Sequence, residues 1–467
     1  MNMRPLSMTA LLLWSGLATG CRNDPAAEPE VPEVTDEAGT CASPRGTDLP
    51  ECPRLCDARA QGEPPAAGAD LSRDIRSTAL NVKLDSLEAT ALIQVAGSSS
   101  DTLSLKVGSL RITGVSGRCG PLKYTVKDGQ LDVGLPGWAS SVRVDYVLQQ
   151  SPDFDGYLPS GTSFIWPSFC GNLYPCHPAL ADGATFSLQL ENVPAGKKAI
   201  YAESIPGDAP PYMLAWAVGD YTEKDLGRTT AGTQVAVWYL PGEEAATTEG
   251  TRHLKDAVDF YERRYGAYTF GGKVGSVSAN WGAGAYGGME HHPYWHVAAD
   301  AMGDRLVHHH EAAHGWYGNG VRIQCWEDFV LSEGTSEYLT ARAVRETEGE
   351  AAEAQVWSDW RTSLERAVSR GDTLALPDGT CNEIDILTHP LWSSIPYKKG
   401  AFFYRALEKQ IGTAAMDQVL ARFYQRHVGG AARMQQLLDL VKEETRFDPT
   451  PLANAWLRQL GIPAETP

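Results

Sequence analysis

Residues Leu306 to Gly320 read LVHHHEAAHGWYGNG, and the run His310-Glu311-Ala312-Ala313-His314 fits the pattern HExxH. On a helix, residues four apart share a face, so His310 and His314 can direct their imidazoles at one point. Glu311 lies about 100° round the helix, beside that point, where it can take a proton from water. Two imidazoles with a carboxylate alongside suit a zinc ion. Such an ion prefers nitrogen and oxygen donors and, when catalytic, keeps one position for water. His308 and His309 fall on other faces and take no part in the pattern.

A catalytic zinc needs a third protein ligand. Glu333 follows His314 by nineteen positions, inside LSEGTSEYL. Gly318-Asn319-Gly320 would stop the first helix, and GVRIQCWEDF gives the chain room to turn back. A second helix then presents Glu333 to the same point. The expected metal ligands are His310, His314 and Glu333, holding one Zn²⁺ per chain. Glu337, one turn further, is placed to hydrogen-bond a ligand imidazole; a solvated helix carboxylate is its alternative role.

HEAAHGWYGNGV followed by WEDFVLSEGTSEYL resembles the gluzincin aminopeptidases, the group that contains aminopeptidase N and leukotriene hydrolase. Their pattern is HExxH, eighteen residues and then Glu, as here. Gly-Asn follows the helix, matched by Gly318-Asn319, and Ser332 stands where Asn is usual. Upstream, Gly287-Gly288-Met289-Glu290-His291 resembles their Gly-x-Met-Glu-Asn motif. The resemblance implies that Glu290 binds a substrate's free α-amino group and that Gly287, Gly288 and Met289 line the cleft. Downstream, SSIPYKKG resembles the segment carrying the transition-state tyrosine, which implies that Tyr397 donates to the oxyanion on the scissile carbonyl. Looser likenesses extend it over most of the chain, through GTSFIWPSFCGNLYPC, YMLAWAVGDY, RRYGAYTFGGK and LANAWLRQLGIP.

The resemblance implies a zinc-dependent metallopeptidase, an aminopeptidase acting near the free N-terminus of a peptide, with Glu311 as general base. Three departures bear on that expectation. His291 replaces the Asn of the exopeptidase motif, which leaves endo- or oligopeptidase action as the alternative. Cys176 leads into His177-Pro178 where an acidic residue is usual. The sequence given ends at Pro467, where larger members continue into a helical domain, so a more open cleft is expected. A zinc-binding surface lipoprotein without catalysis is the rival from another class.

Two kinds of element must position these residues. From about 72 to 240, LNVKLDSLEATALIQV, SLKVGSLRITGV, VRVDYVLQ, TFSLQLENV and TQVAVWYL alternate apolar and polar residues, separated by turn-forming clusters. Beyond 250 the apolar period becomes helical, in TRHLKDAVDFYERRYG, EDFVLSEGTSEYLTARAVRE, PYKKGAFFYRALEKQIG, AAMDQVLARFYQRHV, MQQLLDLVKEE and PLANAWLRQL. A short β-like piece, KVGSVSAN, precedes the HHHEAAH helix. The expected fold class is α+β and multidomain. An N-terminal antiparallel β-sandwich-like domain, 69–240, precedes a thermolysin-like, α-rich zinc peptidase domain, 241–467.

The 467 residues carry a formal net charge of −18, which repels nucleic acid and excludes it as a partner. MNMRPLSMTALLLWSGLATG reads as a signal peptide over 1–20. Ala18-Thr19-Gly20-Cys21 resembles a bacterial lipobox, so Cys21 is the expected lipid anchor and the only membrane contact. Residues 21–68, rich in Pro, Ala, Glu and Gly, read as a flexible tether. The chain is thus expected in the bacterial cell envelope, as a lipoprotein, or secreted, and as a monomer. Besides Cys21 there are eight cysteines, an even number that in an exported chain suggests disulfides. Cys170 with Cys176, and Cys325 with Cys381, are the preferred pairs.

Overall fold

The structure is a computed structural model that describes residues 73–464, apart from 152–154, 168–169, 282–286, 380 and 382–383. The expected signal peptide, Cys21 and the tether with Cys41, Cys52 and Cys56 lie outside the described residues.

The alternating segments form a seven-stranded sheet of β1 (Ile75–Lys83), β2 (Glu88–Val95), β3 (Arg111–Gly117), β4 (Gly120–Pro121), β5 (Ser141–Val147), β6 (Ala184–Glu191) and β7 (Ser204–Ala209). Their order across the sheet is β7-β6-β1-β2-β5-β3-β4. Burial alternates along β1, β2, β5 and β6, so one face is packed, as period-two patterning requires. A three-stranded sheet of Leu103–Lys106, Gln130–Val133 and Tyr124–Lys127 shares that core through Leu105, Leu131 and Val133. The expected antiparallel arrangement holds except between β1 and β6, which run parallel with Leu80 opposite Leu188. A long excursion separates these two strands in sequence, so no hairpin constrains their direction.

A second sheet of five strands follows: β8 (Thr222–Arg228), β9 (Gln234–Tyr239), β10 (Lys273–Ala279), β11 (Gly288–Met289) and β12 (Tyr294–Ala298), in the order β8-β9-β10-β12-β11. It runs across the boundary expected between residues 240 and 241, because β9 pairs in parallel with β10. β11, which carries the start of the GGMEH motif, is an edge strand of this sheet.

The helices are α1 (Glu244–Gly250), α2 (Leu254–Tyr265), α3 (Arg305–Ala313), α4 (Phe329–Glu348), α5 (Glu350–Arg370), α6 (Ser394–Ile411), α7 (Thr413–His427), α8 (Met434–Thr445) and α9 (Thr450–Trp456). Among the described residues none is long and apolar enough to cross a membrane. Helix α4 is central, with every residue from Phe329 to Val344 buried. It meets α6 where Gly334 faces Gly400: a methyl group added to Gly334 would lie 2.7 Å from the Gly400 Cα, and one on Gly400 2.5 Å from the Gly334 Cα. Only glycines let these backbones approach so closely. The crossing falls one residue after Glu333 and three after Tyr397.

The Cys170–Cys176 and Cys325–Cys381 pairs are both disulfides, with Cα separations of 6.1 and 5.2 Å. Arg322 ties the β-rich region to the helices. Its buried guanidinium donates to the carbonyls of Ala181 (3.3 Å), Asp208 (2.8 Å) and Gly429 (3.0 Å).

Candidate zinc centre

Asp304 caps α3, its Oδ1 accepting from the Leu306 amide at 2.9 Å. The helix ends at Ala313, one residue earlier than HExxH suggests, because Gly315 turns back to the Ala312 carbonyl. His314 is the cap and keeps helical dihedrals (φ −59°, ψ −21°), so it still shares a face with His310. The Gly318-Asn319-Gly320 turn then folds against it. Gly318 has φ of +111°, and a side chain there would meet the His314 ring at 2.5 Å.

The structure brings the three expected ligands together. His310 Nε2 lies 3.1 Å from Glu333 Oε2, His314 Nε2 lies 3.1 Å from His310 Nε2, and His314 Nε2 lies 3.4 Å from Glu333 Oε2. The His314 Nδ1–H donates to the Tyr317 carbonyl at 2.9 Å, which turns Nε2 towards the other two. All three residues are buried. Two imidazoles and a carboxylate meeting in this way form the donor set of a catalytic zinc.

The electrostatics point the same way. Burial alone would disfavour a charged His314, yet the Glu333, Glu290 and Glu311 carboxylates outweigh it and push the imidazole up to about 10. Burial would raise Glu333 in turn, but charge on His314 and hydrogen bonds from both histidines hold its carboxyl down. Glu290 and Glu311 are raised, by burial first and also by the like charge of Glu333. A buried cluster of carboxylates that holds a proton on an imidazole so firmly is a cluster suited to a cation.

Glu311 is buried beside the ligands, and its carboxylate lies flat against the backbone of β11. A methyl group on Gly288 would sit 2.4 Å from Glu311 Oε1 and 2.6 Å from Cγ. Gly288→Ala is therefore expected to displace the carboxylate and lower turnover by about 100-fold while zinc content stays at one per chain; steady-state kinetics with metal analysis checks it. The backbone of Glu311 is also fixed. His292 Nε2–H donates to its carbonyl at 2.7 Å, and His292 Nδ1 accepts from the Tyr268 hydroxyl at 2.7 Å. Burial pushes the His292 pKa down to about 3, so this linkage is neutral.

Glu290 reaches the same place from β11, with donor atoms of Glu290, Glu311 and His314 all within 4.8 Å of one another. The Glu290 carbonyl accepts from Asn319 Nδ2 at 2.7 Å, and Asn319 Oδ1 accepts from the Tyr212 hydroxyl at 3.0 Å. Asn319 of the turn, and Tyr212 of the β-rich region, thus hold the motif in place. His291 is turned away. Its Nε2–H donates to the Ile165 carbonyl at 3.3 Å, its ring packs edge-on to Phe164 and His296, and burial pushes its pKa down to about 4.

Ser393 caps α6, accepting from the Ile395 amide, and Pro396 occupies the first turn, where its missing N–H is harmless. One residue on, the half-buried Tyr397 stacks beside His310, ring centroids 5.8 Å apart at 23°, with Phe329 edge-on at 5.6 Å. Glu337 departs from its expected role. Its Oε1 lies 4.0 Å from His310 Nδ1, beyond hydrogen-bond reach, and instead accepts from Lys398 Nζ at 2.6 Å. His308 and His309 are both fully buried, His308 between Ser276 (2.7 Å) and the Met302 carbonyl (3.0 Å).

Sequence reasoning missed Lys398, His292, Tyr212 and the Gly334–Gly400 crossing, and it named Asn319 without its contact to Glu290. Only Asn319 had a local signal, the Gly-Asn after the helix. It also missed the aromatic run in which Trp392 stacks on Phe329 (5.8 Å) and meets Trp166 of the β-rich region (5.6 Å).

Comparison with known proteins adds to this geometry. Residues 297–456 match the family described as Peptidase family M1 domain. Aminopeptidase M1-B of Oryza sativa subsp. japonica is 27% identical over 327 residues, 62% of this chain and 36% of that protein. Leucine aminopeptidase 2 of Yarrowia lipolytica is 25% identical over 358 residues, 71% of this chain and 50% of that protein. The chain thus spans half the length or less of these curated relatives. The crystal structure of an M1 zinc metallopeptidase from Deinococcus radiodurans superposes with a TM-score of 0.70 at 20% identity, covering 84% of this chain and 95% of that one. That likeness establishes the fold, a strand-rich region followed by a helical one. Over residues 297–456 the chain is therefore similar to the peptidase family M1 domain.

Proposed function

We propose that this chain is a zinc metallopeptidase that cleaves peptides next to a free N-terminus. The observation that carries the proposal is the pair of buried carboxylates, Glu290 and Glu311, converging with His314 on the flank of the His310–His314–Glu333 triad. One flanking carboxylate serves hydrolysis; a second is suited to a substrate ammonium. His310, His314 and Glu333 would hold zinc, which when bound would supply a Lewis acid for the carbonyl and bring the pKa of water towards neutrality. The chain's own groups do the rest. Glu311 accepts the proton of the attacking water and passes it to the leaving amine. Tyr397 donates its hydroxyl hydrogen to the oxygen that becomes anionic. Glu290 orients the substrate through its amine, while Gly287, Gly288 and Met289 offer the edge of β11 to its backbone. Relatives named aminopeptidases support this reading, as does a mutant of the Deinococcus radiodurans enzyme solved with a Tyr-Ser-Ala substrate.

Matched peptides with free and acetylated N-termini test it, alongside zinc analysis. The zinc-loaded chain should cleave only the free-amine member of each pair, and chelation should abolish cleavage. Equal rates on both members would make it an endo- or oligopeptidase, and stoichiometric zinc with no hydrolysis would make it a binding protein. Glu290→Gln is expected to lower kcat/KM on free-amine peptides by about 10–100-fold, the worth of a charge-assisted hydrogen bond.

We further propose that the chain lies outside the cytoplasm, anchored at Cys21 or secreted, as a monomer. The charged and apolar pattern of residues 1–20 supports export, and so do two disulfides.

A further inference from the structure

We infer that Glu337 and Lys398 act as one positioning unit, a buried ion pair that sets both the His310 ring and the turn of α6 carrying Tyr397. Lys398 Nζ lies 2.6 Å from Glu337 Oε1, and the two side chains are 3% and 2% exposed, so water does not share the pair. The ammonium also sits 4.0 Å over the ring of Trp360 on α5, which fixes it from a second side. Glu337 is one helical turn beyond Glu333, so both carboxylates leave the same face of α4. Lys398 is the residue after Tyr397. The pair therefore joins the helix that presents a metal ligand to the helix that presents the tyrosine. It does so a short way from the point where Gly334 and Gly400 bring the two backbones into contact.

The side of the pair that faces the metal site has a distinct task. His310 Nδ1 is buried and has no hydrogen-bond partner, and Glu337 Oε1 at 4.0 Å is the carboxylate beside it. At that distance it makes no hydrogen bond, but its charge faces the Nδ1–H edge of the ring, and carboxylates behind ligand imidazoles affect metal affinity strongly. Lys398, donating at 2.6 Å, holds this carboxylate in place. Replacing a buried pair by apolar groups is often neutral or favourable for stability. Stability alone thus gives no reason to keep two charges here, whereas positioning does.

The test compares Glu337→Gln, Lys398→Met and the double variant, read by zinc affinity, thermal stability and kinetics. Glu337→Gln should weaken zinc about 10–100-fold in competition with a chelator. Lys398→Met should lower kcat about tenfold with KM and zinc content little changed. The double variant should recover thermal stability relative to either single change and still bind zinc weakly. Because a single variant with one unpaired buried charge can fail to fold, the double variant decides. If it binds zinc and turns over as the parent does, the pair is structural only and the inference fails. The tyrosine half rests on the peptidase reading, but the zinc half does not. Weakened zinc in a chain that cleaves no peptide would uphold the positioning of His310 and overturn the proposed function.

Discussion

Glu311→Gln is expected to bind zinc as the parent does and to lose about 10²–10⁴ in kcat on a free-amine peptide, about 3–5 kcal/mol of barrier. The substitution keeps the volume of the side chain, so it still fits against Gly288. It keeps the backbone carbonyl that accepts from His292. It also leaves intact the three donors that meet at 3.1–3.4 Å, none of which belongs to Glu311. What it removes is the ability to accept a proton. Burial and the neighbouring carboxylates push the Glu311 carboxyl well up. A divalent cation among those carboxylates would counter that repulsion and bring the base form within reach of neutral pH. Zinc content and single-substrate kinetics on purified protein make the measurement. Full turnover with Gln at this position would remove Glu311 from the chemistry and end the peptidase proposal.

How much of this site could be read in the sequence depends on distance along the chain. His310, Glu311 and His314 lie within five residues, and helical geometry alone brings them together. Glu333 needed only one assumption, that the chain reverses between two helices. The strand pairing of Arg322–Ile323 with Ala431–Ala432 is part of that reversal, and no local pattern announced it. The strands up to 240 were legible because one packed face imposes alternation. Helix α5 was not marked as a helix. It buries only Val356, Trp357, Trp360, Leu364 and Ala367 of its 21 residues, so its apolar stripe is thin. That omission hid Trp360, and with it the environment of Lys398. Glu337 was noticed for the right reason, its place one turn beyond Glu333. Its partner was misjudged because a lysine 61 residues away gives no sign of where it will fold. Contacts of this kind are made by packing and belong to the tertiary structure. His291 makes the same point from the other side. Its type suggested a changed substrate site, and only the packing of its ring against Phe164 and the Ile165 carbonyl places it in the wall behind the motif.

Tyr397→Phe isolates a single hydroxyl. The ring should keep its stack on His310 and its edge contact with Phe329, since neither uses the oxygen. Zinc affinity and folding are therefore expected to match the parent. If the hydroxyl donates to the developing oxyanion, its loss should lower kcat by about 10²–10³, or about 2.7–4 kcal/mol, with little change in KM. A donor that acts only in the transition state leaves ground-state binding alone, which is why the loss must appear in kcat. An inhibitor that mimics the tetrahedral oxygen should weaken by a similar factor, while a substrate-like competitor should bind unchanged. The two ligands separate this role from simple cleft shape. A rise in KM with kcat preserved would assign Tyr397 to substrate contact, and equal weakening of both inhibitors would assign it to packing of the cleft wall with Trp392 and Phe329. Only the loss confined to kcat and to the tetrahedral mimic fits a phenol that the Ser393 cap and Pro396 hold at the start of α6, beside a ligand imidazole, to meet charge as it forms.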